Sequence, residues 1–200
     1  MYDIVSLGEP LFGFADSAIS RAELRLTGQR FDRGMLEHAR VLHTDSSSLA
    51  SEPSRSAAYQ AIDIAKAAGA VISYAPNYRA SLWSAEADAI RFLRSFIITA
   101  NIMKVSAVEL PLLTGETDPS KAADLLFDQG VRIIIIESDD SVFIRVGKDS
   151  RVIENPGSQS SVTNKTKDAL YERLLYRLLA SGKTLKQVTI DDAIEWLNKF

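Results

Sequence analysis

Two lysines directly before a predicted helix have the charge and the position that suit the binding of an anion. Lys165 and Lys167 lie in the run Val162-Thr-Asn-Lys-Thr-Lys-Asp168, and the apolar pattern beyond it predicts a helix around 168–180. Backbone N–H groups at a helix N-terminus can bind phosphate, and lysine adds positive charge. Asp168 at the same place has a structural explanation, because the helix dipole stabilises a carboxylate there.

A second polar group follows the strand predicted over 102–105. Ser106 and Glu109 have the S-x-x-E spacing of a capping box, in which the two side chains satisfy free N–H groups at a helix start. Lys104 lies near the end of the strand, where it either pairs with Glu109 or reaches solvent. The capping interpretation explains the serine and the glutamate without any ligand.

Polar residues also lie in or after two other predicted strands. Asn77 and Arg79 follow the strand 70–74, and they either fix the turn that leaves this strand or take part in binding. His43 lies on the strand 40–44. We interpret it as a packed histidine rather than a metal ligand.

The composition excludes several classes of function. The sequence has no cysteine and two histidines, which excludes disulfides, thiolate catalysis and cysteine- or histidine-rich metal sites. A net charge of −3 gives no electrostatic footprint for nucleic acid. No run approaches the roughly 20 apolar residues of a membrane span, and no signal peptide precedes Tyr2. We therefore expect a cytoplasmic protein or a recombinant product, without nucleic-acid or membrane partners.

Alternating strands and helices must position these residues. Short apolar runs predict strands at 4–7, 40–44, 70–74, 102–105, 132–137, 142–146 and 151–154. Periodic apolar residues predict helices around 31–39, 57–65, 90–97, 119–129 and 168–180, and another from 190 onward. The stretch 13–30 has no clean period. The order predicts an α/β fold with a mostly parallel, Rossmann-like sheet, an antiparallel meander near the C-terminus, and a single domain over 1–200.

Three stretches resemble, in order, the motifs of one enzyme family. Asp3-Ile-Val-Ser-Leu-Gly-Glu9 is similar to a first strand with its G-E turn. Ile72-Ser-Tyr-Ala-Pro-Asn-Tyr-Arg79, followed by Leu82-Trp83, is similar to a D-P-N-x-R motif. Ile102-Met-Lys-Val-Ser-Ala-Val-Glu109, with Leu113-Thr-Gly115 beyond it, is similar to a K-x-S-x-x-E…L-T-G segment. The chain thus resembles the ribokinase-type (PfkB family) carbohydrate kinases, and the fructokinases among them most closely.

The resemblance implies a fold, a reaction and roles for individual residues. The fold would be the ribokinase-like three-layer α/β/α sandwich, and the reaction phosphoryl transfer from Mg-ATP to a sugar. Asp168 would be the catalytic base, and Asn77 and Arg79 would lie on the substrate side. The residues implied for the nucleotide are Lys104, Ser106 and Glu109. Lys165 and Lys167 lie at positions of the family signature, and they are added as nucleotide candidates for their charge.

The sequence departs from this family where the sugar would bind. Gly13 stands where the family has a sugar-binding aspartate, and Ala75 stands where the D-P-N motif has its aspartate. From Phe14 the sequence passes almost directly to the strand at Arg40. The segment that carries the glycine-rich substrate loop and the strands of the lid is therefore expected to be missing.

The nucleotide region departs as well. Glu137-Ser-Asp-Asp140 replaces a T-x-G turn, and Asp168 alone remains of a D-T-T-G-A-G-D signature. Lys165 and Lys167 carry Cβ atoms and do not readily adopt glycine-only conformations, and the last helix ends at Phe200, before a segment that helps to hold adenine. Because the loss of one preorganised donor of this kind costs about 2.7–4 kcal/mol in well-studied enzymes, we expect little phosphoryl transfer.

Three functional hypotheses remain. The favoured one is an engineered or degenerate sugar-kinase scaffold without activity, in which the site residues are vestigial and no cofactor is expected. The alternatives are a nucleotide- or phosphate-binding pseudokinase module, and an ATP-dependent sugar kinase of the fructokinase or ribokinase type. In the last case a partner or dimer mate supplies the lid. An edge or surface exposed by loss of the lid favours a homodimer.

Overall fold

The computed structural model describes residues 2–8, 21–24, 32–154 and 165–198, without the side chains of 21, 23, 24 and 165–169. Some of the predictions above therefore fall outside the described residues. These include the ones that concern Glu9, Gly13, Phe14, most of the stretch 13–30, Phe31, the run 162–164 and Phe200.

Strands and helices alternate along the described chain. The strands are β1 Tyr2–Leu7, β2 Arg21–Leu24, β3 Ala39–Thr44, β4 Val71–Tyr74, β5 Ile102–Ser106, β6 Ile133–Glu137, β7 Ser141–Val146 and β8 Asp149–Glu154. The helices are α1 Arg33–Glu37, α2 Ser54–Ala67, α3 Glu86–Ile97, α4 Leu110–Thr114, α5 Pro119–Asp128, α6 Lys165–Ser181 and α7 Ile190–Asn198. Short 3-10 helices cover Ser47–Leu49 and Ala80–Leu82. Among the described residues, one compact unit runs to Met103 and a second begins at Lys104.

The first unit is built on parallel strands in the order β2-β1-β3-β4-β5. The register aligns the ends of three neighbouring strands, since Leu7 lies opposite Thr44 and Thr44 lies opposite Tyr74. The residues that follow these three strands therefore emerge side by side at one edge of the sheet.

Helix α2 presents a face of small side chains to this sheet. Its buried residues recur at helical spacing and are Ala57, Ala58, Ala61, Ile62 and Ala65. Alanine leaves room for the helix backbone to lie close to β3 and β4, which α2 contacts. Gly69, with φ of +87°, follows the helix and provides the left-handed residue that commonly ends one.

Aromatic packing joins α3 to the end of β4. The rings of Tyr74 and Phe96 are edge-to-face with centroids 5.1 Å apart, and both side chains are fully buried. Burial of a side chain as large as Phe96 stabilises the fold by about 1.5–3 kcal/mol. This contact fixes the position from which the chain leaves β4.

The second unit contains an antiparallel meander. Every residue of β6 is buried, as its isoleucine run predicts for a strand covered on both faces. β6 pairs with β7 and β7 pairs with β8, with Ile135 opposite Ile144. Helix α5 packs on β6 and β7, and α7 packs on β7 and β8.

These observations confirm the predicted fold class. The sheet is mostly parallel, helices pack on it, and the antiparallel strands lie near the C-terminus. Strand β2 was not predicted, because its residues lie in the stretch 13–30 that has no period. Helix α1 is shorter than the span 31–39 suggested. None of the described helices is both long and apolar enough to cross a membrane.

Candidate functional site

Three residues lie side by side just beyond the aligned strand ends of the first unit. They are Gly8 after β1, Asp45 after β3 and Ala75 after β4. The backbone N–H of Ala75 donates to the carbonyl oxygen of Thr44 at 3.0 Å, which extends the pairing past the strands. Open parallel α/β sheets bind ligands outside the carboxyl ends of their strands. This edge is therefore the candidate site of the first unit.

The Asp45 carboxylate is buried and held in one orientation. Its Oδ1 accepts hydrogen bonds from the backbone N–H of Ser47 at 2.8 Å and from the Ser47 hydroxyl at 2.6 Å. The whole residue is 2% exposed. A buried carboxylate without hydrogen bonds is costly, so these contacts stabilise its position.

Gly8 makes room for that carboxylate. Its φ is +101°, and a Cβ atom built on it would lie 2.4 Å from Asp45 Oδ1 and 2.9 Å from the Ser47 hydroxyl oxygen. Glycine adopts positive φ without a steric penalty and brings no Cβ. The chain that leaves β1 can therefore pass directly against Asp45.

The turn after β4 is tied to the loop after β3. Ser46 donates its backbone N–H to Pro76 O at 2.9 Å and its hydroxyl to Asn77 O at 3.2 Å. Asn77 has φ of +45°, in the left-handed region that asparagine tolerates better than most residues. This geometry supports the interpretation of Asn77 as a turn residue. Its role toward a substrate stays a prediction.

A shallow depression lies at the same edge. It is open to solvent and encloses no volume that holds a water molecule, and its lining residues are Asp45, Ser46, Ser47, Asn77, Arg79 and Leu82. A carboxylate, an amide, a guanidinium and hydroxyls are brought together here, so the surface offers both donors and acceptors of hydrogen bonds. Such a mixture suits a neutral ligand that carries several hydroxyl groups.

The second unit contains a buried ion pair. Lys104 Nζ lies 3.7 Å from Glu137 Oε2, and the two side chains are 7% and 3% exposed. The end of β5 is also joined to the end of β6 by the Ala107 N–H, which donates to Glu137 O at 2.8 Å. Lys104 thus pairs with Glu137, whereas the sequence suggested Glu109 or solvent.

Ser106 and Glu109 bind each other. The Glu109 Oε2 atom accepts from the Ser106 backbone N–H at 3.0 Å and from the Ser106 hydroxyl at 2.7 Å. This is the glutamate half of a capping box. The Glu109 N–H donates instead to the Ser106 carbonyl, at 3.0 Å. This pairing lies in the turn before α4, whose N-cap residue Glu109 makes no side-chain capping bond to the helix. The pairing accounts for both side chains, and a role in nucleotide binding stays a prediction.

The run Glu137-Ser-Asp-Asp140 forms a tight hairpin between β6 and β7. Ser138 N–H donates to Ser141 O at 2.9 Å, and the Ser138 hydroxyl oxygen accepts from Ser141 N–H at 3.1 Å. Asp139 and Asp140 are exposed at its tip. The added negative charge is therefore solvated.

The other candidate residues predicted from the sequence are Lys165, Lys167, Asp168 and His43. Lys165, Lys167 and Asp168 begin helix α6, and their side chains are not described. His43 is 2% exposed, and its Nδ1 lies 2.9 Å from the buried Ser73 hydroxyl oxygen, in agreement with a packed histidine. Among the described side chains, no three acidic or histidine residues gather as ligands for a metal.

Asp45 is the site residue that the sequence analysis missed. Its signal was an acidic residue directly after an apolar strand and before a serine-rich loop, at the carboxyl end where parallel sheets bind ligands.

Comparison with known proteins relates the chain to sugar kinases. It is 32% identical over 180 residues to fructokinase-1 of Oryza sativa subsp. japonica, a match that covers 88% of this chain and 56% of the rice protein. It is 43% identical over 94 residues to fructokinase-1 of Zea mays, which covers 47% of this chain and 29% of the maize protein. The chain thus spans about half the length, or less, of these curated relatives. No family model matches the sequence.

Solved structures give the same result for the fold. A fructokinase double mutant from Vibrio cholerae O395, in a form with fructose, ADP and potassium ion bound, superposes with a TM-score of 0.71 at 26% identity, covering 79% of this chain and 51% of that one. The ATP-bound fructokinase of Xylella fastidiosa has a TM-score of 0.70 at 16% identity, covering 98% and 74%. The latter likeness shows the fold alone.

The fold and these similarities define the class of the protein. It is a ribokinase-like α/β protein related to the PfkB carbohydrate kinases, and the resemblance found in its motifs is confirmed. Within that class, the relatives named above are fructokinases.

Proposed function

We propose that the chain is the α/β core of an ATP-dependent carbohydrate kinase of the fructokinase type. The observation that carries the proposal is the depression lined by Asp45, Asn77 and Arg79 at the carboxyl edge of the parallel strands. Hydrogen-bonding groups of both kinds at this edge suit a sugar. The names of the curated relatives support the choice of a sugar kinase.

The reaction assigns a role to Asp168 by resemblance, and roles to Lys165 and Lys167 by their charge. A sugar hydroxyl attacks the γ-phosphorus of ATP, the bond to the ADP oxygen breaks, and the hydroxyl proton passes to Asp168. Lys165 and Lys167 bind phosphate oxygens at the N-terminus of α6, where free N–H groups add to their charge. Positioning and electrostatic stabilisation account for most of the catalysis of such transfers.

A magnesium ion has no cluster of ligands among the described side chains. Glu109 is bound by Ser106, and Glu137 is paired with Lys104. The metal therefore enters the proposal as the counterion of ATP.

A coupled assay of ADP release, with Mg-ATP and fructose or ribose, tests the proposal. We expect ADP release that depends on the sugar and is lost in Asp168→Asn. A matched control is Asp191→Asn, which changes an exposed carboxylate in the first turn of α7. Sugar-independent ADP release, or none at all, would rule out the kinase.

Specific observations favour a second candidate, a module that binds nucleotide or phosphate without turnover. Ala75, at the position of the motif aspartate, is buried with 2% exposure and offers no carboxylate. Lys165 and Lys167 replace glycines of the family signature. Isothermal titration with Mg-ATP would then give heat without ADP release, and Lys165→Gln with Lys167→Gln would abolish that heat.

The inactive, engineered scaffold remains the third possibility. The similarities are to fructokinases over most of this chain, and they support the kinase hypothesis better than they support the scaffold. The scaffold hypothesis predicts no heat in the titration and no ADP in the coupled assay.

A lid supplied by a second copy is part of the kinase proposal, and it would make the specific activity rise with protein concentration.

A further inference from the structure

Two segments line the depression of the first unit, and an arginine outside the depression is in contact with both of them, directly or through aromatic rings. Residues 45–47 follow β3, and the lining residues between 77 and 82 follow β4. Arg55, in the first turn of α2, belongs to neither segment. Its contacts therefore bear on how the two segments are placed.

The Arg55 guanidinium binds the end of the 3-10 helix Ser47–Leu49. Its Nε donates to Leu49 O at 2.7 Å, and its Nη2 donates to Ala50 O at 3.2 Å. The donors of arginine form a planar fork, so two bonds fix the orientation of these carbonyls as well as their position. The side chain is 17% exposed. The loop after β3 is therefore anchored to the start of α2.

The same guanidinium lies on an aromatic ring of α3. The Arg55 Cζ is 3.5 Å from the centroid of the Phe92 ring. Phe92 in turn stacks with Trp83, with 6.3 Å between the centroids and 21° between the planes. Trp83 directly follows Leu82, which lines the depression. Arg55, Phe92 and Trp83 thus form an arginine–aromatic cluster that joins the loop after β3 to the turn after β4.

The cluster acts on a different part of the loop from the direct link between the two segments. Ser46 bonds directly to the turn after β4, at Pro76 O and Asn77 O. Arg55 binds the other end of the same loop, at Leu49 and Ala50. With the cluster in place, both ends of the loop are held relative to the turn.

We propose that Arg55 is a positioning residue for sugar binding, which acts through the arginine–aromatic cluster to fix the separation of the two segments that line the depression. This inference rests on the proposed function for the class of ligand. A ligand that contacts both segments needs them at one separation. Binding is weaker when the protein must first bring them there, because the cost of ordering is then taken from the binding free energy.

Arg55→Lys tests this role, because lysine keeps the charge but has neither the fork for two carbonyls nor a plane that stacks on Phe92. The Kd for fructose and for ribose is measured by calorimetry, and KM and kcat in the coupled assay of ADP release. We expect Kd and KM for the sugar to rise about three- to tenfold, the change in affinity that corresponds to one hydrogen bond. We expect kcat to stay unchanged, as it does when binding is lost equally in the ground state and the transition state.

A purely structural role of Arg55 gives a different result. Less of the protein would then be folded, so the apparent kcat would fall while KM and Kd stayed the same. That outcome would overturn the positioning role.

Arg91→Lys is the matched control. Arg91 lies over the same ring, with its Cζ 4.4 Å from the Phe92 centroid. Its guanidinium bonds to Asp88 and its side chain is 67% exposed. We expect Arg91→Lys to leave Kd and KM unchanged. Equal effects of Arg91→Lys and Arg55→Lys would contradict the assignment, because only Arg55 of the two is bonded to the loop carbonyls.

The two proposals fail in different ways. Sugar binding that weakens in Arg55→Lys, without any ADP release, would support the positioning role and overturn phosphoryl transfer. ADP release with the same KM in the native protein and Arg55→Lys would support the kinase and overturn the positioning role. A native protein that binds neither sugar would refute both.

Should Arg55→Lys fail to fold, Phe92→Leu serves instead. Leucine keeps an apolar side chain at position 92 but removes the ring that joins Arg55 to Trp83. We expect Kd for the sugar to rise in this variant as well. An unchanged Kd would count against the proposal.

Discussion

Lys104 and Glu137 form an ion pair of 3.7 Å in which each side chain is almost completely buried. Desolvation offsets much of the attraction in such a pair, so the pair itself contributes little net stability. Removal of one partner is different, because it leaves the other charge buried.

We expect Lys104→Met to lower the free energy of unfolding by about 3–5 kcal/mol, because the buried charge of Glu137 then loses its lysine partner. Urea denaturation followed by circular dichroism measures the loss. Lys121→Met is the matched control, since Lys121 is exposed on α5. The double variant Lys104→Met, Glu137→Leu should recover most of the loss. If the double variant is as unstable as the single one, the loss of stability comes from the missing ion pair and not from the charge that is left behind.

We expect Gly8→Ala to destabilise the protein more than Gly115→Ala does. Both glycines have positive φ, +101° and +83°, so alanine is strained at either position. At Gly8 the new Cβ also meets Asp45 Oδ1, whereas nothing lies within 4 Å of a Cβ at Gly115. Overpacking of this kind adds about 1–3 kcal/mol to the loss. Equal losses, measured by chemical denaturation, would show that the loop of Asp45 yields freely.

We expect Asp192 to stabilise α7 at neutral pH and to lose that effect in acid. Hydrogen bonds from Lys183 and from the Thr189 N–H hold the pKa of the Asp192 carboxyl below its ordinary value. A lowered pKa in the folded state gives stability that is present above the unfolded pKa, near 4, and is lost as the pH falls through the folded pKa.

Asp192→Asn tests this by thermal unfolding at pH 7 and at pH 2.5. The variant should be less stable at pH 7, by less than about 1 kcal/mol because the pair is partly exposed and screened by solvent. The difference should shrink or vanish in acid. Asp191→Asn, an exposed carboxylate in the same helical turn, is the control. A difference that stays constant with pH would contradict the assignment.

We also expect self-association through β8. This strand is the last in the sheet among the described strands, and Val152 on it is 64% exposed. Exposed edge strands pair readily, and charged residues prevent such pairing. Val152→Lys should therefore shift the protein toward monomer in sedimentation velocity. Val108→Lys, at a position 89% exposed outside the strands, should not. A native protein that is monomeric at all concentrations would refute this prediction.

Local patterns determined the predictions that succeeded. The alanine spacing of α2, the isoleucines of β6 and the helix predicted over 119–129 depend on residues close in sequence, and the structure agrees with each of them. β2 gave no such signal, because its four residues, Arg21–Leu24, are too few to show a period.

The candidate site depended on contacts between distant residues. Gly8 and Asp45 are 37 positions apart, and their contact follows from the register of β1 with β3. Lys104 was expected to pair with nearby Glu109 or to reach solvent. Glu109 binds Ser106 instead, and Lys104 pairs with Glu137 at the end of β6. The propensities and periodicity of single segments do not show which residues of two distant strands lie opposite each other.

The contact between Gly8 and Asp45 also sets an order in which the two positions can evolve. A side chain at position 8 is destabilising while the aspartate stands at 45, so prior exchange of Asp45 for a smaller residue lowers the cost of a side chain at position 8. Once position 8 has gained a side chain, the return of aspartate at 45 is disfavoured in turn. Substitutions at residues in contact are not additive, so each of these two substitutions changes the cost of the other. We expect relatives that have made both substitutions to carry a small residue at position 45 and asparagine at position 8, because asparagine tolerates positive φ.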